Sequence, residues 1–247
     1  MTATVVGPTL AAVLLAMTVA AALCYWLAGL GRITVIPAAA ARAVVQLAAV
    51  STVLAAAMTH LWSSIVVLLV MFVVATFTAA RRTQAGRSAA WMALPLAVGL
   101  LAVIPALLLT GLIPATGVAL VPIVGIVLGG TMTASAVAAK RGLDALHRRV
   151  GEVEAALSLG LSERESRFEV VSGELADALL PAIDQTRTVG LVTLPGAFVG
   201  VLLSTGSATQ AGAVQVLVLI ALLLSQSCAV AVVGELVARG WVFRPAR

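Results

Sequence analysis

Charge is scarce in this 247-residue chain: Asp, Glu, Lys and Arg make up 10% of it, against about 25% in an ordinary soluble domain. Aromatic residues make up only 4%, and there are two cysteines and two histidines. Each shortage excludes something. With 62% apolar residues and so few charged ones, no aqueous fold can bury the apolar side chains, and a bilayer must be the solvent. Cys24 and Cys228 lie in separate apolar runs, with no CxxC and no His/Cys cluster, so they read as buried thiols rather than a disulfide framework or metal site. The net charge of +5 does not read as nucleic-acid binding, because the basic residues are scattered among apolar runs without a continuous patch. There is no GxxxxGK[ST] loop to hold ATP in the usual way, and neither HExxH nor GxSxG occurs. Met1 to Ala16 contains no Lys or Arg, so the charged start of a signal peptide is missing. Leu23 is too large to precede a lipoprotein cysteine at Cys24. The first apolar run is therefore expected to remain as a helix.

What is present is a series of apolar runs, each near the roughly 20 residues that a membrane helix needs. They predict seven spans: Thr9–Leu30, Ala38–His60, Ser63–Ala80, Ala89–Gly111, Thr116–Ala136, Thr188–Ser204 and Ala211–Val237. The second and third are joined tightly around His60–Trp62, which predicts an antiparallel hairpin. The sixth is short and contains Pro195 and Gly196. The expected fold is an all-α polytopic membrane protein, a single domain over residues 1–247 with a helical elbow over 138–187.

The charges orient this arrangement. Every basic residue lies after spans one, three or five, on the helix ends beside those connections, or in the C-terminal tail. They are Arg32 and Arg42, then Arg81, Arg82 and Arg87, then Lys140 to Arg187, then Arg239, Arg244 and Arg247. The connections after spans two, four and six hold no Lys, Arg, Asp or Glu. Basic residues stay on the cytoplasmic side during insertion. Seven spans with the N-terminus outside and the C-terminus inside place them all there, in a multi-pass protein of the cell membrane.

The segment from about Ala138 to Arg187 is different material, with seven of the fifteen basic residues and nine of the ten acidic ones. Leu143, Leu146, Val150, Val153 and Leu157 recur at helical spacing, as if the fifth span continued beyond the membrane. Gly160 interrupts that pattern. Ser162 and Glu165 then form a capping-box pattern for a second helix. Phe168, Val171, Leu175 and Leu179 line one face of it, and Pro181 is expected to end it. Fifty residues are too few for a comfortable separate domain, so this elbow should dock on the membrane helices, on another protein, or on both.

Ionisable groups at membrane depth are nearly absent. Glu235 is the only acid in any span; it is either an interfacial acid paired with Arg239, four residues on at the spacing of a helix-surface ion pair, or a functional group near the inner end of the last span. Arg42 and Gln46 share one face of the second span. Arg42 either snorkels to the inner surface or turns inward to a carbonyl or the elbow. Gln46, Thr131, Thr133, Gln215, Ser225, Gln226 and Ser227 are either pathway positions or interhelical hydrogen-bonding groups. Two spans carry helix-loosening residues: Pro122, Gly125, Gly129 and Gly130 in the fifth, and Pro195-Gly196 in the sixth. Proline removes a donor and displaces the carbonyl four residues earlier, here Leu191. Glycines otherwise let helices pack closely. Both spans flank the elbow, so a push on it would pass into the least regular helices.

Five stretches carry a family resemblance: Arg42-Ala43-Val44-Val45-Gln46-Leu47, Val121-Pro122-Ile123-Val124-Gly125, Leu157-Ser158-Leu159-Gly160, Leu180-Pro181-Ala182-Ile183-Asp184, and Thr188 to Gly196 (TVGLVTLPG). In this order they resemble the permease subunit of the bacterial iron-export ABC transporter family, which has plant relatives in aluminium tolerance. The resemblance runs from about Arg42 to Ser227. It implies a partner ATPase subunit that holds ATP and Mg, a second copy of the permease, and export of a metal, iron in that family. Glu154 to Gly160 also resembles the EAA-and-glycine coupling loop of ABC importers. By that likeness Glu154, Ala156, Gly160, Ser162, Glu165 and Phe168 would contact the ATPase. Arg42, Gln46, Pro122, Gly129, Gly130, Met132, Pro195, Gly196 and Gln215 would belong to the translocation path or its hinges. The chain itself would bind no cofactor and would be no enzyme.

There are departures. Gly129-Gly130 stands where the family usually has Gly-Asn, Ala197-Phe198 where it has methionines, and Val214-Gln215 where it often has Tyr-Gln. Each removes a group able to touch a substrate. Iron(II) favours imidazole, carboxylate or mixed ligands; this chain offers no acid in the outer two-thirds of the membrane, one outer-edge histidine, His60, and scattered Met17, Met58, Met71 and Met132. The fold and coupling carry over better than the cargo. An ATPase-independent secondary transporter or small-solute exporter is the alternative, although such proteins usually carry an ionisable site at mid-membrane and none is visible.

Overall fold

The computed structural model describes residues 7–57 and 61–244, with backbone alone over 53–57 and at 61. The helices, in chain order, are α1 (Pro8–Leu27), α2 (Val35–Ala57), α3 (Leu61–Thr83), α4 (Ala93–Leu109), α5 (Gly117–Arg148), α6 (Val150–Ser158), α7 (Glu163–Asp177), α8 (Leu180–Thr188), α9 (Gly196–Thr205) and α10 (Ala208–Ala238). A 3₁₀ stretch, Gly86–Met92, leads into α4. Among the described residues six helical segments are long and apolar enough to cross a membrane: α1, α2, α3, the 3₁₀ stretch with α4, α5 and α10. The chain divides into two compact units, Met1–Thr59 and His60–Arg247.

The first unit holds α1 and α2. Pro8 sits in the opening turn of α1, where its missing N–H costs nothing. The turn between the helices is close: a Cβ on Gly31 would lie 2.9 Å from the Tyr25 ring. Large apolar side chains such as Leu15, Met17, Val44 and Val45 are exposed on both helices. A water-soluble pair could not tolerate this, but in lipid it needs no protein cover.

The second unit is a bundle whose helix directions follow from its contacts. Thr131 meets Ser225, and Gly142 packs near Val237, so α5 and α10 run the same way. Met71 reaches Gly125, while Thr83 and Asp144 share Arg244, so α3 runs with them. Val103 and Leu107 pack with Val127 and Ala221, while Gly99 lies at Thr131 and Ser225, so α4 runs opposite. One core cluster, including Ala79, Met92, Leu96, Ala138, Val171 and Val237, lies toward the end that carries Arg81, Arg82 and Arg244; a smaller one around Val103 and Val127 lies toward the other. The lipid-facing sides of α3 and α4 expose Leu69, Val70, Val73 and Leu101.

Four expectations change. The sixth span, Thr188–Ser204, is not one helix. Val189 is extended, Gly190 is left-handed at φ +82°, and Pro195 caps a new helix, α9. Ten residues rise about 15 Å, half the hydrocarbon core. The elbow's first helix is also broken: Arg149 leaves the helical range at φ −114°, ψ 34°, so Leu143 and Leu146 belong to α5 and Val150 to α6. Pro181 does not end the second elbow helix, which stops at Asp177; Pro181 lies in the first turn of α8, where a proline fits. Cys24 is exposed on α1 and Cys228 half-buried, because an apolar run in lipid need not be covered by protein. Met58 and His60 lie outside the described residues, as does the tight connection expected around His60–Trp62.

Candidate functional site

The elbow is built from α6 and α7. α7 begins with a complete capping box: the Ser162 hydroxyl accepts from the Glu165 amide at 3.3 Å, and the Glu165 carboxylate accepts from the Ser162 amide at 3.0 Å. The Ser162 hydroxyl also donates to that carboxylate at 2.7 Å. These bonds hold the Glu165 carboxyl below its ordinary value, the Ser162 hydroxyl contributing most. Gly160, at φ +91°, makes the turn between α6 and α7.

α7 packs on the membrane helices. Val171 is fully buried and Leu175 nearly so. Two glycines let them approach. A Cβ on Gly234 of α10 would lie 2.5 Å from Leu175, and one on Gly142 of α5 would be 3.7 Å from Val171. Polar bonds strap the same surface. Arg141 faces Asp177 at 3.9 Å, Arg148 faces Glu174 at 3.8 Å, and Arg149 donates to the Val170 carbonyl at 3.1 Å. The acceptors descend in number as the donors rise, so α7 runs back along α5. Exposed pairs of this kind each contribute only about 0–1 kcal/mol, so apolar packing dominates the docking and the charges fix its register.

The link to α10 is a fork. Arg164 donates from Nε and Nη2 to the two Glu235 oxygens at 2.8 and 2.7 Å. Arg239 donates to Oε1 of the same carboxylate at 2.7 Å. The Arg164 guanidinium is held above its ordinary value, chiefly by its bonds to Glu235. The sequence pattern pointed to the Glu235–Arg239 pair. It gave no sign of Arg164, which is 71 residues from Glu235.

α6 is the contrast. None of its side chains is buried. Val150, Leu157, Leu159 and Leu161 are exposed on it and its turn, and Glu154 and Ala156 lie on that helix. Phe168 is partly exposed, with Arg164 stacked 5.8 Å over its ring.

Inside the bundle, α4, α5 and α10 meet at a buried polar contact. The Thr131 and Ser225 hydroxyl oxygens lie 2.6 Å apart, and Thr131 donates to the Val127 carbonyl at 2.7 Å. A hydroxyl has one proton, so Ser225 is the donor to Thr131. Gly99 of α4 lies against this pair: a Cβ there would be 2.8 Å from the Ser225 carbonyl oxygen. Sequence reading passed over Gly99, whose only signal was a glycine within an apolar run.

The hinge glycines divide. A Cβ on Gly130 would lie 2.6 Å from Leu222 and 2.7 Å from the Gln226 amide, and one on Gly125 3.0 Å from Met71, so both serve close packing. Gly129 has nothing within 4 Å. It opens on a cleft of about 390 Å³ lined by α5, α8, α10 and the α7 end, with Thr133, Gln185 and Gln226 among its polar groups. Arg141 and Asp177 also line this cleft. Pro122 lies within α5, which continues through it, and Met132 packs against the larger core.

Gln215, buried on α10, has a definite task. Its Oε1 accepts from the Phe198 amide of α9 at 3.1 Å. That amide is in the first turn of α9, among the donors that a helix start leaves without a partner. At membrane depth such a donor costs several kcal/mol unless satisfied. The half-helix that begins at Pro195-Gly196 is therefore tied to α10. Ser227 is exposed and does not join this seam, and Arg42 and Gln46 are exposed on α2 in the other unit. Among the described residues no group of three or more His, Cys, Asp or Glu is placed to hold a metal ion.

Among the described residues, six apolar helical segments of membrane length, with exposed apolar sides and a polar, charged elbow, define a polytopic helical membrane protein. Residues 8–242 match the family described as "Uncharacterised protein family (UPF0014)", and the chain belongs to it. It is similar to the protein ALUMINUM SENSITIVE 3 of Arabidopsis thaliana, 34% identical over 46% of this chain and 41% of that one. It is similar to the UPF0014 membrane protein STAR2 of Oryza sativa subsp. japonica, 31% identical over 73% of this chain and 65% of that one. It is also similar to the probable iron export permease protein FetB of Escherichia coli (strain K12), 26% identical over 75% of this chain and 73% of that one. The matches to the two plant proteins thus span less than two thirds of those proteins' lengths. No solved structure matches the chain.

Proposed function

We propose that this chain is the permease subunit of an ABC-type transporter, driven by a separate cytoplasmic ATPase that docks on α6 and the turn after it. One observation carries the reading. α6 has no buried side chain, yet the short turn at Gly160 joins it to α7, which is packed on α5 and α10 and forked to Glu235. A partner that moves α6 would thus move the helices that hold the polar seam and the Gly129 cleft. The resemblance of Glu154 to Gly160 to a coupling loop supports the same surface. The basic end then faces the cytoplasm, the N-terminus lies outside, and the membrane is the plasma membrane.

A second copy of the chain completes the transporter in this reading, and ATP with Mg belongs to the ATPase. Hydrolysis takes place there, so this chain is a transport subunit and not itself an enzyme. The cargo proposed is a metal, by similarity to the probable iron export permease. The cleft beside Gly129 offers Thr133, Gln185 and Gln226 and a single acid, Asp177, which faces Arg141, rather than a fixed set of metal ligands, which suits transient passage of a hydrated or complexed cation.

The test is gentle extraction followed by coupled assays. A soluble ATPase should co-purify in fixed proportion with the wild-type chain. Glu154→Lys, or Gly160→Val at its left-handed position, should leave the complex hydrolysing ATP without transport. Gly212→Ala on α10, away from the elbow and with nothing within 4 Å, should leave coupling intact. Transport that persists with no ATPase bound would overturn the reading in favour of a secondary transporter.

A further inference from the structure

The basic end of the second unit holds another cleft of about 390 Å³. Its walls come from α5, α7 and the chain that leaves α10. Leu143, Val237 and Val242 give it an apolar floor, and His147, Arg167 and Arg244 reach it from three elements. No acid lines it among the described residues.

Both arginines are held in place. Arg167 gives Nη2 to Glu163 at 2.8 Å, one turn earlier on α7. Its Nη1 lies against Gly240, where a Cβ would stand only 2.7 Å away. Gly240 is also left-handed, at φ +69°. One glycine thus makes the turn after α10 and leaves room for the guanidinium. Arg244 gives Nη1 to Asp144, and Nε and Nη2 to the Thr83 carbonyl at 3.4 and 3.3 Å. A guanidinium carries five N–H donors. Both arginines therefore keep donors that no described protein acceptor takes up. Their side chains are only 33% and 27% exposed; each is paired with one carboxylate, Glu163 or Asp144, so what the cleft offers is oriented free donors more than net charge.

The depth of the cleft is marked by aromatic rings. Trp91 and Trp241 lie with ring centroids 4.9 Å apart, and Trp241 and Phe243 are half exposed on either side of Val242. Such rings gather at the level of lipid headgroups. A basic, partly covered hollow at that level suits a phosphate monoanion or diester, which two guanidinium groups can grip from two directions.

We propose that this cleft binds a phosphate group, carried by an anionic lipid headgroup or by a soluble phosphate, with Arg167 and Arg244 as the clamp and Gly240 as the space that seats Arg167. Basic hollows between the inner ends of membrane helices take anionic headgroups by the same physics. The bound anion would bridge α7 to the end of α10 and so hold the elbow against the bundle. The site does not depend on the transport reading.

The experiment is native mass spectrometry of the full chain in detergent. The probes are dioleoyl-phosphatidylglycerol, dioleoyl-phosphatidylcholine and inorganic phosphate. Phosphatidylglycerol should be retained over phosphatidylcholine, and Arg167→Gln should cut that preference about fivefold. Arg148→Gln, outside the cleft, should not change it. Displacement of phosphatidylglycerol by millimolar inorganic phosphate would identify a soluble phosphate as the source; retention in its presence would identify the lipid. Circular dichroism on each variant checks that the helices persist. Arg244 also holds the half-buried Asp144 and the Thr83 carbonyl, whereas Arg167 holds only the exposed Glu163, so Arg167→Gln gives the deciding result. Equal retention of the two lipids with no phosphate binding, or the same loss in Arg148→Gln as in Arg167→Gln, would overturn the proposal.

Discussion

Replacing Gly99 with alanine tests the central contact of the bundle, and Gly129→Ala is its internal control. Both glycines lie inside apolar helices, so both variants gain the same intrinsic helix preference, about 1 kcal/mol in alanine's favour. They differ in what the new methyl meets. At Gly99 it would stand 2.8 Å from the Ser225 carbonyl oxygen, 2.8 Å from the Ser225 hydroxyl and 2.8 Å from the Thr131 methyl. A backbone carbonyl cannot swing aside as the tip of a flexible side chain can, so α4 must back away from α5 and α10. Overpacking of this kind costs about 1–3 kcal/mol. At Gly129 nothing lies within 4 Å, and that cost is absent. The difference between the variants should therefore be about 1–3 kcal/mol. At about 2–4 °C per kcal/mol for a chain of this size, Gly99→Ala should melt several degrees below Gly129→Ala in the same detergent. The assay is thermal unfolding followed by circular dichroism on matched preparations. Equal shifts in the two variants would refute the close approach of α4 to the Thr131–Ser225 pair.

Further outcomes follow from the same geometry. Gln215→Leu removes the acceptor for the Phe198 amide and should cost about 1–3 kcal/mol, seen as a lower melting midpoint and faster hydrogen exchange at the start of α9. Arg164→Glu should break the fork to Glu235 and weaken the coupling of ATPase activity to transport, and Arg164→Glu with Glu235→Arg should restore part of it. Failure of the double variant to recover would remove the fork from the coupling route. Glu165 is held below its ordinary 4.5 by the capping box. A lowered acid contributes stability that is present above 4.5 and is lost as pH falls through the folded value. Protection of the first-turn amides of α7, measured against their intrinsic exchange rates at each pH, should therefore fall on acidification below 4.5, and Glu165→Ala should lose that pH dependence.

How much was legible in the sequence varies with the range of the interaction. The capping box at Ser162 and Glu165 could be read because both partners lie within one turn. The Gly160 break and the Glu235–Arg239 pair were legible for the same reason. The exposed α6 was only half visible: its periodicity ran on from α5, and nothing in the pattern marked Arg149 as the point of separation. Pro181 was misread because a proline can close one helix or open the next, and the local sequence does not say which. The sixth span looked continuous because its hydropathy is continuous; the break at Val189 to Pro195 depends on backbone angles and on the Gln215 acceptor that supports the new helix start.

The sequence by itself determined the solvent of this protein, the number of long apolar helices within one, the cluster of charge in one elbow and the family to which the chain belongs. Those properties are sums or short-range patterns along the chain. Only the tertiary structure decided that α7 lies on α5 and α10 while α6 buries no side chain. It also decided that Gly99 meets Thr131 and Ser225, that Arg164 reaches Glu235 and that Arg167 and Arg244 converge on one cleft. Each of these joins residues far apart in sequence, where hydropathy and helical period carry no information about which faces meet. The contacts are set by packing, by how close the glycines let backbones approach and by the need to satisfy polar groups in a medium without water.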